Sequence, residues 1–247
     1  MFEAARGRIS EARAHCEAAL ELARELGDRN DEGHILAHLG MLYVGRGSMD
    51  EGTSNLEKAL AVAREVGNRY LEGQVLCRMG RCNQLQGMLD KAHSQLEMAL
   101  AVAGDLGDER FKSDVLCNLG MVFESMARSD KALDHFEAAL VIARELEDRL
   151  SEGRFLGHMG LLHARQGRFD EARSCLNGGE TVLRAISGRV SLAILLCGRA
   201  EMEHLTGNPD AASAALVEAE TFAAADSAGP GSELGLAVIR VRDLLEK

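Results

Sequence analysis

Residues 156–172 read LGHMGLLHARQGRFDEA, and crowd His158, His163, Arg165 and Arg168 into a run that a glycine at 167 divides in two. Such a stretch is either a site that does chemistry or one tile of a repeating scaffold. The rest of the chain decides between them, because the same grammar returns every 40 residues. Leucine stands at 36, 76, 116, 156 and 196, and glycine at 40, 80, 120 and 160 with Ala200 in the fifth place. Aspartate stands at 50, 90, 130, 170 and 210. Glycine precedes that aspartate by three at 47, 87, 167 and 207, with Ala127 in the remaining unit, and no insertion breaks the register. A fixed period of this length marks stacked supersecondary units, none of which can bury its apolar face alone.

The residue types give each unit its shape. Leu36, Leu39 and Tyr43 fall at i, i+3 and i+7 and predict an amphipathic first helix from about 30 to 46. Gly40 removes a side chain where a neighbouring helix must come close, and Gly47 ends the helix. Asp50 is expected to cap the next helix by accepting a bond from a free backbone N–H. Leu56, Ala59, Leu60 and Ala63 line that second helix, and Gly67 closes it.

Composition excludes several alternatives. The 247 residues are 46% hydrophobic, enough for a substantial core, and hold two prolines and no tryptophan. An abundance of Ala, Leu, Glu and Arg favours helix throughout and argues against strands. A net charge of −11 argues against a nucleic-acid binder, which needs a broad basic face to displace counterions. MFEAARGRIS lacks a signal-peptide apolar run, and no stretch of about 18 uninterrupted apolar residues suits a bilayer, so a cytoplasmic location with no membrane partner is expected. The six cysteines contain no CxxC pair and read as small core residues rather than as disulfides or metal ligands.

In the pattern Leu36, Leu39-Gly40, Tyr43, Gly47, Gly52, Leu56 and Ala59-Leu60, repeated as Leu156, Met159-Gly160, His163, Gly167, Ala172, Leu176 and Gly179, each unit resembles a tetratricopeptide repeat. The usual period is 34 residues; here longer helices and GDR-type connections extend it. Phrases such as ALxxARExGDRxxEG resemble the helical tails of bacterial multidomain regulators and the peptide-binding repeats of scaffold proteins. The resemblance implies an all-α, right-handed superhelical solenoid of stacked antiparallel helix pairs that binds protein segments and carries no catalytic or cofactor site. We expect a single solenoid over 1–247: an unpaired helix at about 8–26, pairs at about 30–67, 70–107, 110–147, 150–187 and 190–226, and a C-terminal capping helix at about 232–246. Residues 1–7 look like the stub of a missing first helix. That uncapped end suggests that the chain is the C-terminal part of a larger regulator or pairs with another subunit.

First helices line the concave side of such a stack. With the core taking positions such as 36, 39 and 43, the inner stripe falls at 34, 38, 41 and 45. Unit by unit this gives His34, His38 and Met41; Gln74, Arg78 and Arg81; Asp114, Asn118 and Met121; and Arg154, His158, Leu161 and Arg165 as partner-contacting candidates, with Ile194, Glu201 and Leu205 finishing the row. The resemblance implies contact with peptide backbone or a carboxylate at Asn118. Four arginines against Asp114 and Glu201 leave the stripe about +2 inside an acidic chain, which favours an acidic or carboxylate-ended segment. A small acidic ligand that alters superhelix pitch is the other binding reading, and mixed, solvated helix faces are the bland one.

Lesser signals yield less. His34 and His38 at i, i+4 lack an evident third ligand for a metal. Gly178-Gly179 should weaken and bend a second helix. GPGSELG at 229–235 imitates a phosphate loop but follows no strand, and reads as a turn with an N-cap at Ser232. Arg240, Arg242, Asp243 and Glu246 beyond it suit a solvated cap.

Overall fold

A computed structural model describes the backbone of residues 2–225 and 229–246, and the side chains from residue 11 onward within those spans. The first and last residues, and residue 226 at the expected end of the fifth pair, lie outside the described residues. Twelve helices follow in chain order: α1 (Phe2–Leu26), α2 (Arg29–Gly45), α3 (Met49–Glu65), α4 (Arg69–Leu85), α5 (Leu89–Leu106) and α6 (Glu109–Ser125). The rest are α7 (Ser129–Glu145), α8 (Arg149–Arg165), α9 (Phe169–Ala185), α10 (Arg189–Leu205), α11 (Pro209–Ala225) and α12 (Glu233–Leu245). Among the described residues there is no strand. The stub expected before residue 8 is helical and continuous with α1.

Pairs form between α2 and α3, α4 and α5, α6 and α7, α8 and α9, and α10 and α11, while α2, α4, α6, α8 and α10 also touch one another in series. The first helices therefore make one continuous face. Within the first four pairs a glycine meets a bulky core residue of the second helix: Gly40 faces Leu56, Gly80 faces Leu96, Gly120 faces Phe136 and Gly160 faces Leu176. All four partners are 0% exposed. A Cβ on Gly120 would lie 2.5 Å from the Phe136 ring, so the close approach exists because that atom is missing. The same reasoning corrects the reading of Gly178-Gly179. Helix α9 runs unbroken through them, and a Cβ on Gly179 would sit 2.7 Å from Leu195 Cδ1 and 2.9 Å from the Gly153 carbonyl oxygen. The helix-weakening residue is used for three-helix contact.

Capping also differs from the sequence expectation. Asp50 lies in the first turn of α3 behind Ser48, which occupies the cap position without a side-chain bond. There the Asp50 carboxylate faces the positive end of the helix dipole instead. Side-chain caps belong to α12 and to the first helices of the first four pairs, where Asp28, Asn68, Asp108 and Asp148 accept from the N–H groups of Asp31, Leu71, Phe111 and Ser151. Each is the middle residue of a G-D-R-like junction, so the connection doubles as a helix start.

The junctions also carry a repeated clamp. Buried Glu32 accepts from Arg24 and Arg29, Glu72 from Arg64 and Arg69, and Glu152 from Arg144 and Arg149. Each carboxylate ties the end of one second helix to the start of the next first helix. The Arg24 hydrogen bond holds Glu32 below the usual carboxylate range, and at Glu72 burial is outweighed by Arg64 and Arg69.

Helix ends are closed by left-handed residues at Gly27, Gly47, Gly67, Gly87, Gly107, Gly167 and Gly207. Ala127, Glu147 and Ser187 adopt the same conformation, with φ of 56°, 52° and 55°. A Cβ makes this region costly by roughly 1 kcal/mol. Ala127→Gly should therefore stabilise the chain by up to about 1 kcal/mol in urea titration, less the added freedom of the unfolded glycine; a loss of stability would show that the turn at 127 is not strained.

Candidate functional site on the concave face

The inner stripe comes together in two adjoining clefts. The first, about 220 Å³, is lined by Gln74, Arg78, Arg81, Asp114, Asn118, Met121, Arg154 and His158, with Cys77, Cys117 and Phe111 at its floor. The second, about 500 Å³, continues past Met121, His158, Leu161 and Arg165 to Ile194. His34, His38 and Met41 line neither cleft. Met41 packs against the core of the first repeats, and His38 lies at the surface, where partial loss of solvent first and the nearby Arg78 second lower its pKa. Among the described residues no three His, Cys, Asp or Glu side chains group to hold a metal.

The clefts have a roof that the stripe did not foretell. Helix α12 crosses the concave face, and Glu233, Leu236, Ala237 and Arg240 line the larger cleft opposite Met121, Leu161 and Arg165. The Arg81 guanidinium donates to Glu233 at 3.0 Å, and the His158 Nε2 lies 3.6 Å from the same carboxylate. Ahead of the helix, the Gly231 N–H donates to the Gly45 carbonyl at 3.1 Å, which pins residues 229–233 to the end of α2. Behind it, Leu234, Val238 and Val241 are buried in a core shared with α10 and α11. The expected solvated cap is thus a strap from the first repeat to the last.

Ion pairing revises the stripe's charge. Arg154 is bonded to Asp114, Arg165 to both Glu124 and Glu201, Arg81 to Glu233, and Arg240 to Glu201 at 3.4 Å. Four guanidiniums thus face four carboxylates, and the +2 counted from the stripe falls to the single charge of Arg78. Arg78 has no ion pair among the described residues, and burial lowers its pKa. The sequence count missed Glu124, one turn beyond the stripe position at 121, and Glu233, which comes from a distant segment.

The chemistry of the walls is uneven. Burial pushes His158 down to about 4, so at neutral pH an uncharged ring stacks 5.7 Å from Phe136. Burial works against ionised Glu233 as well, yet Arg81 above all holds its pKa at about 2. Asn118 is fixed by its own side-chain amide, which donates to the Asp114 carbonyl at 2.9 Å and to Cys77 Sγ at 3.3 Å. Burial raises the thiols of Cys77 to about 11 and of Cys117 to about 12. At neutral pH they are protonated and are poor nucleophiles.

Paired helices in constant register around a concave cleft define a helical-repeat solenoid. The tetratricopeptide repeat family matches residues 31–105 and 111–185, more than half of the chain, and the chain belongs to that family. No curated protein sequence matches it. Solved structures share the fold at low identity. A Rap conjugation gene regulator of plasmid pLS20, in complex with the Phr peptide, superposes with a TM-score of 0.74 at 16% identity, over 98% of this chain and 71% of that one. BtubC from P. vanneervenii gives 0.69 at 18% identity, over 88% and 91%. A signal transduction ATPase with numerous domains and a tetratricopeptide repeat sensor, from Pyrococcus horikoshii, gives 0.66 at 14%, over 99% of this chain and 42% of that one. No helix among the described residues is long and apolar enough to cross a membrane.

Proposed function

We propose that the chain is a non-catalytic interaction module that binds an acidic protein or peptide segment on its concave face, as the scaffold or sensor part of a regulatory system. The observation that carries this reading is Arg78, a half-buried guanidinium with no ion pair among the described residues, set in a cleft whose other arginines are each matched. An incoming carboxylate there completes a charge-assisted pair that the protein itself leaves open. The Rap regulator with the Phr peptide supports a bound segment as the form of partner. The protonated thiols and the lack of a nucleophile–base pair in either cleft support a non-catalytic role.

A second reading rests on the cleft volumes of about 220 and 500 Å³, which suit a small organic anion.

Removing all four stripe arginines is a poor test, because it would strand Asp114, Glu124, Glu201 and Glu233. Arg78→Gln alone leaves every ion pair intact. With a photo-crosslinker at position 121, the native chain should label a segment whose contacts map to the clefts, and Arg78→Gln should weaken that capture by about tenfold. Undiminished capture by Arg78→Gln would move the site off the concave face. If native labelling is instead competed away by small dicarboxylates, the second reading gains.

A further inference from the structure

The GPGSELG motif, set aside in the sequence as a turn, is the part of the molecule that meets the groove most closely. Gly231 has no room for a side chain: a Cβ there would fall 2.2 Å from the Val44 carbonyl oxygen and 3.0 Å from the Gly47 nitrogen. Ser232 caps α12 by accepting from the Gly235 N–H at 3.1 Å, which places Glu233 in the first helical turn. From there its carboxylate enters the smaller cleft between Arg81 of α4 and His158 of α8. The strap's holds are unequal. Its far half is anchored by the buried Ala237, Val238 and Val241, and buried Leu234 marks the boundary; ahead of Leu234 the strap rests on one backbone hydrogen bond, one ion pair and the neutral His158. The cleft of about 500 Å³ beneath Leu236 and Ala237 shows that α12 covers the groove without filling it.

Resting on the groove-binding reading, we propose that residues 229–233 form a displaceable latch hinged at Leu234, and that the partner is a helical segment with an acidic residue in its first turn, which takes the Glu233 seat as it binds. Three observations favour this occupant. The seat already holds a helix N-terminus led by a glutamate. Arg78, lining the same cleft, is a cation that Glu233 leaves unpaired, so a segment with a second carboxylate beside the one in the Glu233 seat makes a pair that the latch does not. Residues 229–233 can lift while Leu234, Ala237, Val238 and Val241 stay docked, so displacement does not require unfolding. The latch scales the apparent affinity by the fraction of molecules that are open.

The test uses the full chain and a fluorescent peptide copying residues 232–247, whose glutamate answers to Glu233. Two latch variants act by different means: Glu233→Gln removes the ion pair, and Gly231→Ala drives a Cβ into the Val44 backbone. Each should tighten binding of the peptide by at least about tenfold and speed amide exchange at residues 231–235 by a similar factor, while the amides of α4, α6 and α8 keep their protection. A peptide with glutamine in place of its glutamate should gain nothing. Unchanged peptide affinity in both latch variants, or exchange that rises throughout the solenoid, would overturn the latch. The two readings fail separately: Arg78-dependent capture with an inert Glu233→Gln variant sinks only the latch, whereas faster exchange at 231–235 with no capture by any variant sinks the groove.

Discussion

Phe136→Ala should remove about 3–5 kcal/mol of stability, measured as a loss of free energy of unfolding in urea. The side chain is fully buried, lies against Gly120 and stacks its ring on His158, so truncation opens a void in the middle repeat that neighbours on both sides must share. In a solenoid that loss spreads through nearest-neighbour interfaces, and a broadened transition is expected along with the lower midpoint. The opposing glycine supplies the control. Gly120→Ala should cost about 1–3 kcal/mol by overpacking against the ring, and much less in the Phe136→Ala background, because the atoms nearest the added Cβ all belong to that ring. Equal costs in the two backgrounds would mean that the glycine serves helix geometry rather than the close approach.

The repeat was legible because its signals are local and redundant. A glycine, a leucine and a left-handed turn residue recur in one register, and stacking forces them to mean the same thing in every unit. Three errors share one physical origin, which is that a single unit's sequence does not show what arrives from elsewhere. Asp50 looked like a cap, but capping is decided by which residue leaves helical backbone geometry, and at that junction it is Ser48. Gly178-Gly179 looked like a defect because helix propensity counts one helix at a time, whereas Gly179 serves contacts to α8 and α10.

The groove's charge looked like +2 because Glu233 lies 152 residues from Arg81 in the chain. Periodicity places residues of the repeat, and the strap lies outside the repeat. One signal was nonetheless present. A glycine-proline-glycine turn followed by an N-cap and a glutamate is an unusual way to begin a merely solvated helix, and its tight glycine now has a reason in the Val44 backbone. His163 shows the reverse case, since register alone put it in the place of Tyr43 and Phe123, and its ring is buried with 6% exposure.

Acidification should destabilise the protein through the seat of the latch, by about 3 kcal/mol between pH 6.5 and 4. In the folded chain burial lowers the His158 pKa from 6.5 to about 4, so the unfolded chain takes up its proton first. Stability is therefore complete above pH 6.5 and falls as the pH drops toward 4, at about 1.4 kcal/mol for each unit of displacement. The groups facing the ring set the balance: Glu233 favours the charged form, while Arg81, Arg154 and Arg240 oppose it. Glu233, lowered from 4.5 to about 2, adds a second decline below pH 4.5 that ends only near pH 2. His158→Asn, which copies Asn118 in the preceding repeat, should flatten the upper limb of the stability profile and leave the lower one. Glu233→Gln should flatten the lower limb and deepen the upper one, because the arginines would then face His158 without their carboxylate. A profile unchanged by His158→Asn between pH 6.5 and 4 would show that the ring is not buried neutral beneath α12.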